Sequence, residues 1–87
     1  MPLTDREKAL FAVARERISE GSLPGAPPAS VAAGSGIRET CCLCGGTIEP
    51  EDIEYEFIGG SDQVQFRFHM RCHAIWQLAA HDRTNGS

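Results

Sequence analysis

The sequence has no long apolar run. Although 41% of its 87 residues are hydrophobic, no segment approaches the roughly 18 to 20 apolar residues of a membrane-spanning helix. The opening stretch, MPLTDREKALF, carries charges where a secretory signal needs its apolar region. We therefore expect a cytoplasmic protein that does not enter a membrane.

Positive charge is also scarce. Lys and Arg total 8 against 12 Asp and Glu, which gives a formal net charge of −4. A general nucleic-acid binder presents a basic face that replaces the counterions of the phosphates. The charge balance therefore disfavours such a function.

Regular pattern is missing from the stretch that follows the first 20 residues. Residues 21–40, GSLPGAPPASVAAGSGIRET, contain three prolines, four glycines and three serines with no periodicity, which predicts a flexible tether over 22–40. The remaining chain is too short to bury a large core. An additional stabilising cross-link, such as a bound metal ion, is therefore expected.

A helix is predicted before the tether. Thr4 and Glu7 form the T-x-x-E pattern of a capping box, and Gly21 suits the position after the last helical residue. Apolar residues recur every four positions, at Leu10, Ala14 and Ile18. We expect an N-terminal amphipathic helix within 1–21. Its stripe should pack on the rest of the chain, or else bind a partner or a second copy.

A β-hairpin and a second helix are predicted after the tether. Apolar residues alternate with polar ones on both sides of 59–62, which predicts one apolar and one solvated face. The apolar positions are Ile53, Tyr55, Phe57, Val64, Phe66 and Phe68. A hairpin alone is marginal in water, so a helix over 70–81 should cover the apolar face. Residues 82–87 are expected to be a disordered tail.

Four side chains have the spacing of a zinc site. Cys41, Cys44, His69 and Cys72 form the pattern C-x2-C-x24-H-x2-C. The first pair precedes two glycines, which suit the tight turn of a zinc knuckle. The second pair lies three residues apart where the predicted helix begins, so both face one side. Three thiolates and one imidazole satisfy one tetrahedral, structural Zn²⁺.

Other uses of these residues are less well supported. Cys42 is expected to be a small thiol outside the site, and His73 to lie behind the site or at the surface. A thioredoxin-type redox pair needs a cysteine at a helix N-terminus within a βαβ unit, which this sequence lacks. A catalytic zinc would keep an open position, so we expect no enzymatic activity. Disulfides and a zinc or redox sensor are minor alternatives.

The knuckle CCLCG, the hairpin and the helix opening FHMRC together resemble the treble-clef zinc fingers. The F-H-x2-C element is similar to the first finger of LIM domains, and the likeness covers about residues 41–80. The resemblance implies zinc at the four residues named above and Trp76 packed behind the site. LIM domains continue into a second finger, which this chain lacks. The expected fold is a small α+β zinc-stabilised domain, with a treble-clef finger over 41–81.

The predicted function is a non-catalytic zinc module that binds another macromolecule, foremost a protein. The acidic stretch from Glu49 to Asp62 could be a solvated face or a docking face for a basic partner. The alternative is a nucleic-acid-binding or transcription-related regulatory finger, supported by Arg38, Arg67, Arg71 and Arg83.

Overall fold

The computed structural model describes residues 4–26, 28, 30–59 and 63–86. In chain order the elements are α1 (Asp5–Glu20), β1 (Ala32–Ser35), β2 (Ile53–Gly59), β3 (Val64–His69) and α2 (Met70–Gly86). The three strands form one antiparallel sheet in the order β1-β2-β3. The fold is therefore a small α+β arrangement, as predicted.

Helix α1 begins and ends where its local sequence predicts. The Glu7 N–H donates to the Thr4 hydroxyl at 3.2 Å, and the Glu7 carboxylate accepts from the Thr4 N–H at 3.0 Å, which completes the capping box. Gly21 adopts a left-handed conformation with φ 85° and satisfies the last carbonyl groups. Ala14 and Ile18 are buried where α1 packs against α2. The apolar stripe therefore lies on the rest of the chain.

The predicted hairpin is confirmed, and α2 covers the central part of its apolar face, whereas Ile53 and Val64 at the strand ends are about half exposed. Phe57 lies opposite Phe66 in the register of β2 and β3. Trp76 of α2 is fully buried and stacks on Phe57 and Phe68, with ring centroids 5.0 and 5.6 Å apart. These aromatic rings form the centre of the core. The predicted turn residues 60–62 lie outside the described residues.

The prediction of a flexible tether over 22–40 is wrong for most of that segment. Leu23 is only 4% exposed and belongs to the core. The Pro24 carbonyl accepts a hydrogen bond from Trp76 Nε1 at 2.9 Å. Further on, residues 32–35 pair with β2 as strand β1. The open edge of β2 supplies the backbone partners here, so β1 forms without any alternation of its own side chains.

Two further expectations need correction. The polar face of the hairpin is not fully solvated, since Glu54 is 5% exposed and pairs with Arg67 at 2.8 Å.

The predicted tail is helical, because α2 continues to Gly86, while residue 87 lies outside the described residues. No proline or glycine interrupts 70–85, and Asp82 meets Arg15 of α1 at 3.0 Å. Both partners are about half exposed, so this ion pair stabilises the extension only slightly.

Candidate metal centre

The first half of the centre is a tight turn that the backbone closes on itself. Cys41 N–H donates to the Gly46 carbonyl at 2.8 Å, and Gly45 N–H donates to the Cys41 carbonyl at 3.1 Å. Gly45 has φ 77°, a backbone conformation that residues other than glycine rarely adopt. Residues 41–46, named here the knuckle, are thereby held in a conformation that brings two sulfur atoms to one side.

Backbone amides of the knuckle point at the sulfur atoms of Cys41 and Cys44. Leu43 N–H donates to Cys41 Sγ, and Gly46 N–H donates to Cys44 Sγ, each at 3.4 Å. A hydrogen bond to the charged form of a group favours that form. The knuckle is therefore arranged to accept two thiolates, the form in which cysteine binds a metal.

The second half lies where β3 passes directly into α2. His69 is the last residue of β3, and Cys72 is the third residue of α2. No loop separates the strand from the helix, so the positions of both side chains follow from the packing of these two elements. The residue before His69 in β3 is Phe68, which is fully buried. Its burial fixes the position of the backbone at His69.

The structure brings the four predicted residues together. One ligand atom from each of Cys41, Cys44, His69 and Cys72 lies within 4.8 Å of all the others. Cys44 Sγ and Cys72 Sγ are 3.4 and 4.0 Å from His69 Nδ1. All four cysteines of the chain are free thiols rather than disulfides.

These separations suit a zinc ion. Bonds of about 2.3 Å to sulfur and about 2.0–2.1 Å to nitrogen place tetrahedral ligands about 3.5 Å apart for S···N and about 3.8 Å apart for S···S. The two S···N distances given above fall within about half an ångström of that value. The donor set of three sulfurs and one imidazole nitrogen is also one that Zn²⁺ prefers.

A second hydrogen bond fixes the orientation of the His69 ring. Nε2 lies 3.1 Å from the carbonyl oxygen of Thr47, and a carbonyl can only accept, so Nε2 carries the proton. Nδ1 then presents its lone pair to the sulfur atoms, as metal coordination requires. The sequence pattern did not indicate Thr47, because a backbone acceptor has no side-chain signature.

Without a cation, the thiols compete for charge. Hydrogen bonding from Cys72 lowers the pKa of Cys41 to about 4, and the same contact raises the pKa of Cys72 above its ordinary value. This contact therefore favours one thiolate and one thiol over two thiolates. A divalent cation would favour both as thiolates.

Cys42 lies outside the cluster and attaches the knuckle to the sheet. Its N–H donates to the Arg67 carbonyl at 2.8 Å, and its Sγ accepts the Arg67 N–H at 3.4 Å. Its carbonyl accepts from Arg17 Nη1 at 2.8 Å. The sequence expectation for Cys42 was only a small thiol, and the docking contact on β3 was not predicted.

His73 also lies outside the cluster, and of its two expected locations, behind the site or at the surface, the structure shows the first. It is 4% exposed, with its ring 4.7 Å from Tyr55 and 5.5 Å from Trp76 between centroids. Burial lowers the pKa of His73, so the imidazole stays neutral. It serves as part of the aromatic core behind Cys72.

A search with protein-family models, with curated proteins and with solved structures found no match to this chain. Within the part of the chain that the structure describes, no helix has the length and apolarity to cross a membrane. The candidate centre therefore rests on the residues themselves.

Proposed function

We propose that this chain is a single-finger, treble-clef-like module whose structural zinc holds together a surface for binding another protein. The observation that carries this proposal is the Cys3His cluster at Cys41, Cys44, His69 and Cys72. The order of knuckle, hairpin and helix around the cluster supports the treble-clef interpretation. Zn²⁺ would be held by the four side chains and would supply structural cross-linking.

The geometry supports a structural rather than a catalytic role. Four side chains would complete a tetrahedral shell, which leaves no position for a reactive water. The second hydrogen bond of His69 goes to a backbone carbonyl, which holds the ring and cannot transfer protons. We therefore propose a non-catalytic role for this module.

The nucleic-acid alternative loses support because two of its four arginines are paired with carboxylates. Arg67 Nη1 contacts Glu54 and Glu56 at 2.8 and 2.7 Å, and Arg71 pairs with Glu7. Arginines already paired with carboxylates make a weak phosphate-binding face. We therefore favour a protein partner.

Two matched cysteine variants test the metal centre. Cys44→Ser removes a ligand, whereas Cys42→Ser alters a neighbouring thiol outside the cluster. Elemental mass spectrometry should find one zinc per chain in the parent protein and in the Cys42→Ser variant, with clear loss of metal in Cys44→Ser.

The same proteins should be examined by two-dimensional amide NMR with and without a chelator. Structural zinc contributes roughly 10–16 kcal/mol of apparent binding free energy in small fingers, so removal should collapse the dispersed spectrum of the parent protein. The proposal would be refuted if the parent protein contained no metal and its dispersed spectrum did not change when the chelator was added.

A further inference from the structure

The hydrogen-bonding pattern of the sheet determines which way each strand residue faces. Arg67 in β3 directs its N–H and C=O to Cys42, away from β2. In an antiparallel ladder, two directly opposed residues either both point their N–H and C=O groups at each other or both point them away from each other. Glu56, the register partner of Arg67 in β2, therefore directs its own N–H and C=O away from β3. Glu56 thus faces β1 and pairs there with Ala32.

The outer edge of β1 is left without partners. Ala32 and Gly34 face β2, and the bond from Gly36 N–H to the Asp52 carbonyl at 3.0 Å continues the same alternation. The N–H and C=O groups of Ala33 and Ser35 consequently point outward. No backbone or side-chain group among the described residues pairs with them.

Among the described residues, this edge has little of the usual protection against strand addition. Natural edges are commonly blocked by shortness, charges, proline, bulges or a covering segment, and of these β1 shows only shortness, with four residues. Residues 30–37, SVAAGSGI, contain no charge and no proline, and all of β1 is exposed. Val31 and Ile37, which flank β1, are exposed apolar side chains at 37% and 58%.

One face beside the edge is acidic and sterically open. Glu54 and Glu56 lie opposite Gly34 and Ala32 in the register, and directly opposed residues share a face of the sheet. A Cβ placed on Gly34 would meet nothing within 4 Å. Long side chains of an added strand could therefore reach across β1 towards the Glu56 carboxylate, whose side chain is partly exposed.

The two carboxylates on this face share a single cation. The Glu54 side chain is 6% exposed, and its Oε2 accepts from Arg67 at 2.8 Å. The same guanidinium pairs with Glu56 at 2.7 Å, and Gln65 Nε2 donates to the same Glu56 oxygen at 2.8 Å. Two carboxylates against one guanidinium leave a net negative charge, and the Glu56 side chain, 34% exposed, presents it to solvent.

The chain segment beside the end of β1 adds negative charge. The Gly36–Asp52 hydrogen bond places the end of β1 against the turn at 49–52, which contains Glu49, Glu51 and Asp52. These residues belong to the acidic stretch recognised in the sequence. Arg38 lies at the same end and is 3.9 Å from Glu49, so Glu51 and Asp52 leave the end of the open edge with a net negative charge.

We propose that the outer edge of β1 binds an extended, basic segment of another protein, which adds to the sheet as a fourth, lysine- or arginine-bearing strand. The inference rests on the proposed interaction function and specifies its surface and partner class. Backbone pairing with Ala33 and Ser35 would supply the docking geometry, and charge would supply selectivity. A second copy fits less well, because residues 30–37 contain no cation for Glu56.

A pair of synthetic strand peptides tests this directly. The zinc-loaded, isotope-labelled full chain is titrated with the capped peptide TKVKVKT and, separately, with TEVEVET, while amide spectra are recorded. We expect saturable shifts centred on the Ala33 and Ser35 amides with the lysine peptide. Binding of the glutamate peptide should be at least about tenfold weaker, and the difference should shrink at high salt.

Matched variants of one edge residue separate strand addition from surface charge. Ala33→Pro removes an outward N–H while leaving the ladder to β2 intact, so it should abolish binding. Ala33→Val keeps the N–H and should bind like the parent protein. If Ala33→Pro does not fold, Glu56→Gln supplies the second test, with weaker binding of the lysine peptide expected.

Three results would overturn the proposal. These are no saturable shifts at millimolar peptide, shifts located away from β1, or shifts at Ala33 and Ser35 that depend on the concentration of the protein alone. The last result would assign the edge to a second copy. Each leaves the zinc stoichiometry unaffected, so failure of this inference is distinguishable from failure of the metal centre.

Discussion

Truncation of Leu23 should destabilise the protein strongly, even though it lies in a segment whose composition resembles a linker. Its side chain is 4% exposed and belongs to the core. Leucine-to-alanine changes at buried sites cost roughly 2–5 kcal/mol, less where the surroundings can collapse into the cavity. Because Leu23 lies in an irregular segment that can relax, we expect about 2–3 kcal/mol for Leu23→Ala.

Leu78→Ala supplies the matched control. Leu78 is 51% exposed, and truncation of such a surface residue should change the free energy of unfolding by less than about 0.5 kcal/mol. The same atoms are removed in both variants. The two sites differ mainly in the burial of the side chain. They also differ in that Leu78 lies in a helix.

The assay is thermal and chemical denaturation of both variants at one fixed zinc concentration, because bound ligand shifts apparent stability. For a domain of this size, about 2–3 kcal/mol corresponds to a fall in Tm of about 10–20 °C. Equal midpoints for the two variants would refute the conclusion that residues 22–40 are part of the packed structure.

Two further predictions concern the sheet. A Cβ at Gly36 would lie 2.2 Å from the Glu49 carbonyl oxygen, whereas a Cβ at Gly34 would meet open space. Gly36→Ala should therefore destabilise the protein by at least about 1–3 kcal/mol, and Gly34→Ala by clearly less. Equal denaturation midpoints for the two variants would contradict this. Arg67→Met should destabilise by about 2–4 kcal/mol, since it leaves the carboxylate of Glu54 buried without its cation. Adding Glu54→Gln should recover part of that loss in a double-mutant cycle, and strictly additive effects would argue against the pairing.

Features encoded by neighbouring residues could be predicted from the sequence. The cap of α1 depends on Thr4 and Glu7, three residues apart, and the hairpin depends on alternation within each strand. The cluster was predictable because cysteine and histidine are the usual zinc ligands and their spacing is distinctive. Each of these signals is contained within a short stretch or a known set of donors.

Features that depend on distant partners could not be predicted. Strand β1 consists of Ala, Ala, Gly and Ser, which have no strand pattern, and its order comes from the edge of β2. The burial of Glu54 depends on an arginine in the next strand. The hydrogen bond between Trp76 and Pro24 joins positions 52 residues apart, and neither residue type indicates the other.

The attachment of the knuckle to Arg67 limits how copies of this chain can aggregate. Filaments that grow by edge-to-edge strand pairing need two open edges on each molecule. Here the contact between Cys42 and Arg67 occupies the middle of the outer edge of β3, so among the described residues only β1 offers a continuous one. Pairing through β1 alone would therefore end with two molecules, and the same contact that positions the knuckle would block the addition of a third through β3.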